Sequence, residues 1–380
     1  MILKQQAPAK FSTRKYDRYE LFRSDPADWY TGHNYHETEV FGANLNATTQ
    51  WKLGRTSMGV EFRNEGVKSN VLGKPMKEPQ DVPFEKEGQY LKSDNRSNIS
   101  YFLEHNVLLR RFTLSVGVLA NYNSALNEGI HFYPGIDASY RIGDNVRLYG
   151  SWNRALRMPT FTDLYYEGKT NKGNPDLKPE ESEAFEVGLK YNTYFLRAHI
   201  AGFYRKGKNM IDWVKEKPED IWESQNLTKV DNLGFETNLS LLPRELGNER
   251  FFIRKIELGY AFIHQDKDSE GYISNYALDY LKHKFTAQLS HSIWKGFSAT
   301  WYVRWQDRAG SYTKYENLKP AYEEPYAPYC LVDMKVNWEY QRLNLYAELN
   351  NLLNSTYYDL GNIPQPGIWF KAGFRYSFKY

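Results

Sequence analysis

The closing stretch Phe370-Lys-Ala-Gly-Phe-Arg-Tyr-Ser-Phe-Lys-Tyr380 decides the fold. Phe370, Ala372, Phe374, Tyr376, Phe378 and Tyr380 fall on one face, and Lys371, Gly373, Arg375, Ser377 and Lys379 on the other. Strict alternation is the period of a β-strand, whose successive side chains point to opposite sides. The same period recurs in Phe297, Ala299, Trp301, Val303 and Trp305, interleaved with Ser298, Thr300, Tyr302 and Arg304. It recurs again in Val332, Met334, Val336, Trp338 and Tyr340, interleaved with Asp333, Lys335, Asn337 and Glu339, and in 112–120, 185–191, 256–262 and 343–349. No long segment carries helical periodicity.

Worked back from this strand, the spacing predicts about sixteen strands, near 14–23, 36–51, 55–70, 97–108, 111–123, 130–141, 145–156, 181–192, 194–207, 231–242, 252–266, 281–293, 297–309, 328–340, 342–352 and 367–380. Their connections alternate. Short ones fall at Leu53-Gly54, Leu109-Arg110, Gly143-Asp144, Thr193, 243–250, Lys295-Gly296 and Gln341; the others, around 24–35, 71–96, 124–129, 157–180, 208–230, 267–280, 310–327 and 353–366, are mostly long. Short turns on one rim and long polar loops on the other are the asymmetry of an outer-membrane barrel. A soluble sandwich has no reason to gather its long loops at one end, and its strands are usually shorter. Glu186, Lys190, Arg304, Glu339, Asn344 and Glu348, on the second face, need partners in a dry core but not in a wet lumen.

Composition agrees. Of 380 residues 41% are hydrophobic and 16% aromatic, enough for an ordered structure. No apolar run reaches the roughly 18 residues of a membrane helix. Lys and Arg number 49 against 46 acidic residues, with no basic block, so nucleic acid is not an expected partner. The 31 Tyr, 10 Trp and 21 Phe suit strands and interfacial girdles, and the single Cys rules out a disulfide framework. Residues 1–30 show no secretory signal pattern.

Two blocks carry a family resemblance. The first is Ser151-Trp-Asn-Arg-Ala-Leu-Arg-Met-Pro-Thr160, Leu164-Tyr-Tyr166, Asn174-Pro-Asp-Leu-Lys-Pro-Glu-Glu-Ser182 and Phe185-Glu-Val-Gly-Leu-Lys-Tyr191. The second is Leu349-Asn-Asn-Leu-Leu-Asn354, Tyr357-Tyr-Asp359 and Ile363-Pro-Gln-Pro-Gly367. Together they resemble the barrel of TonB-dependent outer-membrane receptors, in which an Arg-x-Pro strand end leads through a loop to an Asn-Pro-x-Leu-x-Pro-Glu segment. The resemblance implies an all-β, transmembrane antiparallel barrel, with residues 1–380 as about 16 of its 22 strands. It further implies that the plug, the TonB-binding segment and the first strands lie outside this chain. Tyr16-Asp-Arg-Tyr-Glu-Leu-Phe22, Trp29-Tyr-Thr-Gly-His-Asn-Tyr-His36 and Gly59-Val-Glu-Phe-Arg-Asn-Glu-Gly66 look most like the vitamin B12 (cobalamin) receptor branch. Implied partners are outer-membrane lipid of a Gram-negative bacterium, TonB, cobalamin or an iron chelate such as a ferric siderophore or haem, and a surface lipoprotein.

Candidate ligand contacts are the aromatics of the long-loop rim: Trp29, Tyr30, Tyr35, Tyr165, Tyr166, Trp213, Trp222, Tyr312 and Tyr315, followed by Tyr322, Tyr326, Tyr329, Tyr357 and Tyr358. Rings with hydroxyl handles suit a large amphipathic ligand; the bland alternative is a girdle with loop packing. His33, His36 and His131 read as surface histidines. Asp266, Asp268 and Glu270 before Gly271 offer hard oxygen ligands for calcium, although Ala277 stands where an EF-hand carries its bidentate carboxylate. No other cofactor is expected. Cys330 falls in the outward phase of its strand. A passive pore and an outer-membrane enzyme are the alternatives from other classes, and no nucleophile motif such as G-x-S-x-G supports the enzyme.

Overall fold

The structure is a computed structural model. It describes the backbone of residues 2–5, 9–19 and 34–378, with gaps at 87, 127–128, 169, 218, 248–249, 269–270, 275–279, 317–318 and 360. Side chains are described from residue 34 onward within these limits, except at 227–228, 268, 315–316 and 319–320.

All sixteen expected strands are present. They are β1 Ala9–Tyr19, β2 Asn34–Trp51, β3 Gly54–Ser69, β4 Gln89–Leu108, β5 Phe112–Asn123, β6 Ile130–Arg141, β7 Val146–Arg157 and β8 Glu180–Asn192. β9 Leu196–Lys215, β10 Trp222–Leu241, β11 Ile253–Asp268, β12 Leu281–Trp294, β13 Phe297–Arg308, β14 Tyr329–Tyr340, β15 Leu343–Asn350 and β16 Trp369–Tyr376 complete the set. Each pairs antiparallel with the next in the chain, giving one continuous meander. Ile2–Gln5 continues the β1 edge along β2.

On the short-turn side β1 begins at Ala9 rather than near 14 and β16 ends at Tyr376 rather than 380; the other main differences from expectation fall on the long-loop side. β4, β9 and β10 begin earlier or end later than the sequence pattern suggests, and Lys74–Asp81, Asn171–Lys172, Ile273–Ser274 and the hairpin Ser311–Glu316/Lys319–Pro325 are further short strands. These segments leave the two-sided environment that imposes alternation, so the period fades while backbone pairing continues. No described helix is long and apolar enough to cross a membrane.

The two faces differ as the pattern requires. Phe374 is 73% exposed and Phe370, Leu345, Phe185 and Leu103 share its outward, apolar side. Trp51, Tyr194, Trp294 and Tyr340 stand exposed beside the short turns, the position of an interfacial girdle. Cys330 sits on the outward face opposite Trp305. The inner face is polar and paired: Glu348 meets Lys335 at 2.7 Å and Lys371 at 3.5 Å, and Asn344 donates to Glu339 at 3.2 Å. Buried apolar side chains collect at the long-loop end, among them Val67, Leu72, Tyr90, Leu177, Trp213 and Val214.

Gly188 shows why the wall needs a missing side chain. Directly opposite it, the Tyr149 ring lies flat on the inner wall, and a Cβ at Gly188 would stand 2.5 Å from it. There the Tyr149 hydroxyl donates to Glu186 Oε1 at 2.7 Å and lies 2.7 Å from His199 Nε2, with Lys190 Nζ 4.7 Å from the ring centre. Gly188→Ala is therefore expected to evict the ring and cost about 1–3 kcal/mol, read as a lower urea midpoint of the folded barrel. Adding Tyr149→Ala should recover much of the loss; an unchanged midpoint in the single variant would contradict this account.

Candidate ligand-binding mouth

The loop between β7 and β8 builds the mouth. Pro159 ends pairing, and Thr160 caps a short helix, α1 Phe161–Tyr165: its hydroxyl accepts from Asp163 N at 3.1 Å while Asp163 Oδ2 accepts from Thr160 N at 3.0 Å. Gly173 packs against this helix, where a Cβ would lie 2.8 Å from backbone atoms of Leu164 and Tyr165. At the loop's base Arg157 makes a fork onto Glu180, Nε to Oε2 at 2.6 Å and Nη2 to Oε1 at 2.5 Å. Glu180 Oε1 also accepts from Ile211 N on β9 at 2.8 Å. The bonds to Glu180 hold the Arg157 guanidinium above its ordinary pKa. The Arg-x-Pro and Pro-Glu motifs, quoted above as two ends of one element, are thus joined by a charge-assisted clamp.

From that base the loop reaches across the inner wall to β4. The Arg96 guanidinium donates to Pro159 O at 2.6 Å, lies 4.8 Å from the Phe161 ring centre and pairs with Glu65 at 2.7 Å. Tyr165 donates to Asp94 Oδ2 at 2.6 Å, and burial first, then that carboxylate, pushes its phenol pKa up. Tyr166 meets Trp213 edge-on, centroids 6.4 Å apart. Beside the loop, Asn34, His36, Thr38, Val67, Leu72, Phe161, Thr162 and Tyr166 line a cavity of about 480 Å³. Trp222 carries Lys215 Nζ 4.6 Å from its ring centre.

A second aromatic cluster stands apart. Tyr312 packs against Tyr326 at 5.1 Å and Tyr358 at 5.9 Å, while Tyr329 packs against Tyr357 at 4.7 Å and donates to Asp359 at 2.8 Å. Arg308 lies 4.5 Å from the Tyr326 ring centre, and Lys314 lies 5.4 Å from that of Tyr358.

The sequence-derived aromatics are thus divided. Tyr165, Tyr166 and Trp213 belong to the mouth, with Trp222 on the same tall strands, and Tyr312 belongs to the second cluster. Tyr35 shares the outward face of β2 with Phe41 and lies beside Gly88, turned away from His36 in the cavity wall. Tyr322 is exposed. Trp29, Tyr30, His33, Glu270 and the side chains of Tyr315 and Asp268 lie outside the described residues. Asp266 is exposed with Lys229 Nζ 3.9 Å away, and among the described residues no three His, Cys, Asp or Glu side chains gather at metal-binding spacing. His36 bonds Ser69 at 2.8 Å. Sequence reading missed Asp94, Arg96 and the partnership of Arg157 with Glu180; the quoted motifs contained the latter two but not their contact.

Comparison with known proteins follows this geometry. Residues 4–352 match the family described as "TonB dependent receptor-like, beta-barrel". The chain is 25% identical over 191 residues to the vitamin B12 transporter BtuB of Vibrio vulnificus, covering 46% of this chain and 30% of that protein. It is 22% identical over 297 residues to the ferrienterobactin receptor of Escherichia coli, covering 70% and 38%. In structure it resembles a variant of the ferric enterobactin receptor PfeA of Pseudomonas aeruginosa, with a TM-score of 0.73 at 18% identity, over 98% of this chain and 59% of that one. The chain spans about a third of the length of these curated relatives.

Glu180→Ala would leave the Arg157 guanidinium without its fork and orphan the Ile211 amide. Residues 158–179 should then be cut by proteinase K roughly 10-fold faster, with Glu180→Gln intermediate. Equal cleavage rates for all three proteins would show that the clamp does not hold the loop.

Proposed function

Because the chain belongs to the TonB-dependent receptor β-barrel family of the Gram-negative outer membrane, we propose that it forms the ligand-binding barrel of a receptor for TonB-energised uptake of a large, scarce nutrient, a corrinoid of the vitamin B12 class. The observation that carries the choice of ligand is the state of the mouth's arginines. Arg96 is taken by Glu65 and Arg157 by Glu180, so neither arginine is left for an anion, while Phe161 and Tyr166 present rings to the cavity. A polyanionic iron chelate calls for unpaired cations. A corrinoid is wide and amphipathic, and asks for apolar faces with a few donors and acceptors at the edge. The similarity to vitamin B12 transporters supports the same reading.

A ferric siderophore is the second reading, favoured by Arg308 and Lys314 lying over the tyrosines of the other cluster and by the similarity to a ferrienterobactin receptor. In either case many weak contacts would hold the ligand until TonB drives its release inward. The reading is a receptor and not an enzyme, in keeping with the family.

Titrating the purified protein with cyanocobalamin while following tryptophan fluorescence should give saturable quenching. Tyr166→Ala, which removes a ring from the cavity wall, should weaken binding by about 2 kcal/mol, roughly 30-fold. Saturable binding of ferric enterobactin with none of cyanocobalamin would transfer the assignment to the second reading. Binding of neither would remove the receptor proposal.

A further inference from the structure

The inner wall turns basic at its short-turn end. Between β11 and β16, at the opposite end of the wall from the mouth, lies a cavity of about 1060 Å³ with Leu242 and Gln341 of the short turns in its lining. Six cations line it, Arg254, Lys255, Lys335, Arg342, Lys371 and Arg375, against two carboxylates, Glu339 and Glu348. The cavity of about 270 Å³ on the wall of β3 and β4 is balanced by comparison, with Arg63 and Arg96 set against Glu61 and Glu65.

Local pairing does not consume the excess. Glu348 is shared by Lys335 at 2.7 Å and Lys371 at 3.5 Å, and Lys255 pairs with Glu257 at 2.8 Å. Even with Glu257 counted, the cations outnumber the carboxylates two to one. Arg254 donates to the neutral Ser292 hydroxyl at 2.8 Å. Arg342 and Arg375 have no carboxylate within 4.0 Å among the described residues.

Register brings these two together. Asn344 of β15 stands opposite Arg375 of β16, and Ser377 N donates to Arg342 O at 3.0 Å. The two arginines are therefore diagonal neighbours, their Cα atoms about 7–8 Å apart. Gly373 leaves room beside them for Tyr346 to lie on the wall, since a Cβ there would stand 2.5 Å from the phenol oxygen. The Tyr346 hydroxyl thus rests on β16 between Lys371 and Arg375, and Lys335 Nζ lies 4.5 Å from the ring centre.

We infer that this end of the lumen binds a multiply charged phosphate anion, with Arg342 and Arg375 as its forks and Tyr346 and Lys371 as further donors. A guanidinium presents paired N–H groups that match two phosphate oxygens, and two such forks on neighbouring strands suit a diphosphate. The same chemistry serves a free anion or a phosphate carried on a larger solute. The inference rests on the lumen as the passage for solute, and not on which nutrient the mouth selects.

The test is isothermal titration calorimetry of the purified protein in detergent at low ionic strength, with inorganic pyrophosphate and separately with ADP. Binding should be saturable and should weaken as salt is added. Arg342→Gln with Arg375→Gln should weaken it roughly 10-fold or more, with Arg342→Lys and Arg375→Lys together intermediate, since the charge stays and the fork is lost. Arg55→Gln, on the inner wall at the short-turn end of β3, is the charge control and should change nothing. If the double glutamine variant does not fold, Tyr346→Phe, which deletes only the hydroxyl, should weaken binding about 5-fold. Tighter binding of ADP would assign the phosphate to a larger solute, and tighter binding of pyrophosphate to the free anion; either result supports the site. No saturable binding of either probe, an unaltered double variant, or an equal loss in the Arg55 control would each overturn the inference. Quenching by cyanocobalamin, read at the mouth, should be the same in the double variant as in the wild type, so failure of the nutrient assignment and failure of this site are told apart.

Discussion

No backbone amide can be left without a partner in hydrocarbon, and this constraint organises the molecule. A chain that crosses a bilayer as strands must pair every strand with a neighbour, and antiparallel pairing of consecutive strands does so with the shortest turns. The meander meets it on both sides of β2 to β15 and on one side of the edge strands β1 and β16. Once pairing is set, the pleat assigns each side chain to lipid or lumen, and a slip of one residue would exchange the two sets. Phe374 exposed on one side and Lys371 paired with Glu348 on the other are consequences of that single register.

A wall of this kind has no dry interior, so its polar face is stabilised by lateral pairing. Tyr149 lies between Glu186 and His199, and Glu348 lies between two lysines. The packed interior is found at the long-loop end, where strands continue past the membrane and loops fold over them. There the Arg157–Glu180 fork converts a long connection into an anchored one. It brings Tyr165 to Asp94 and Tyr166 to Trp213, contacts between residues 71 and 47 positions apart. The mouth's ion pairs serve loop geometry, and Phe161 and Tyr166 with Val67 and Leu72 are among the residues that line the cavity beside them.

The outer face follows a third rule, set by the solvent it meets. Along β9 the outward Ala198, Ile200, Gly202 and Tyr204 are apolar because hydrocarbon excludes charge, and Lys206 and Lys208 beyond them are charged because headgroups and water do not.

The strand count, the meander and the inside–outside assignment were legible in the sequence, because alternation is imposed residue by residue by the environments on the two faces. So were the short turns, and through its motif blocks the family. What sequence could not supply was every feature depending on which distant residues meet. Trp213 and Tyr312 read alike as rim aromatics, yet one joins Tyr166 and the other Tyr326 and Tyr358, since loop folding and not local pattern decides ring neighbours. Tyr35 read as a mouth residue but takes the outward phase of its strand. Arg157 and Glu180 were visible as motif letters, but their bond closes a loop of more than twenty residues. Local environment writes itself into periodicity; long-range contacts and cross-strand rows come into being only when the strands align.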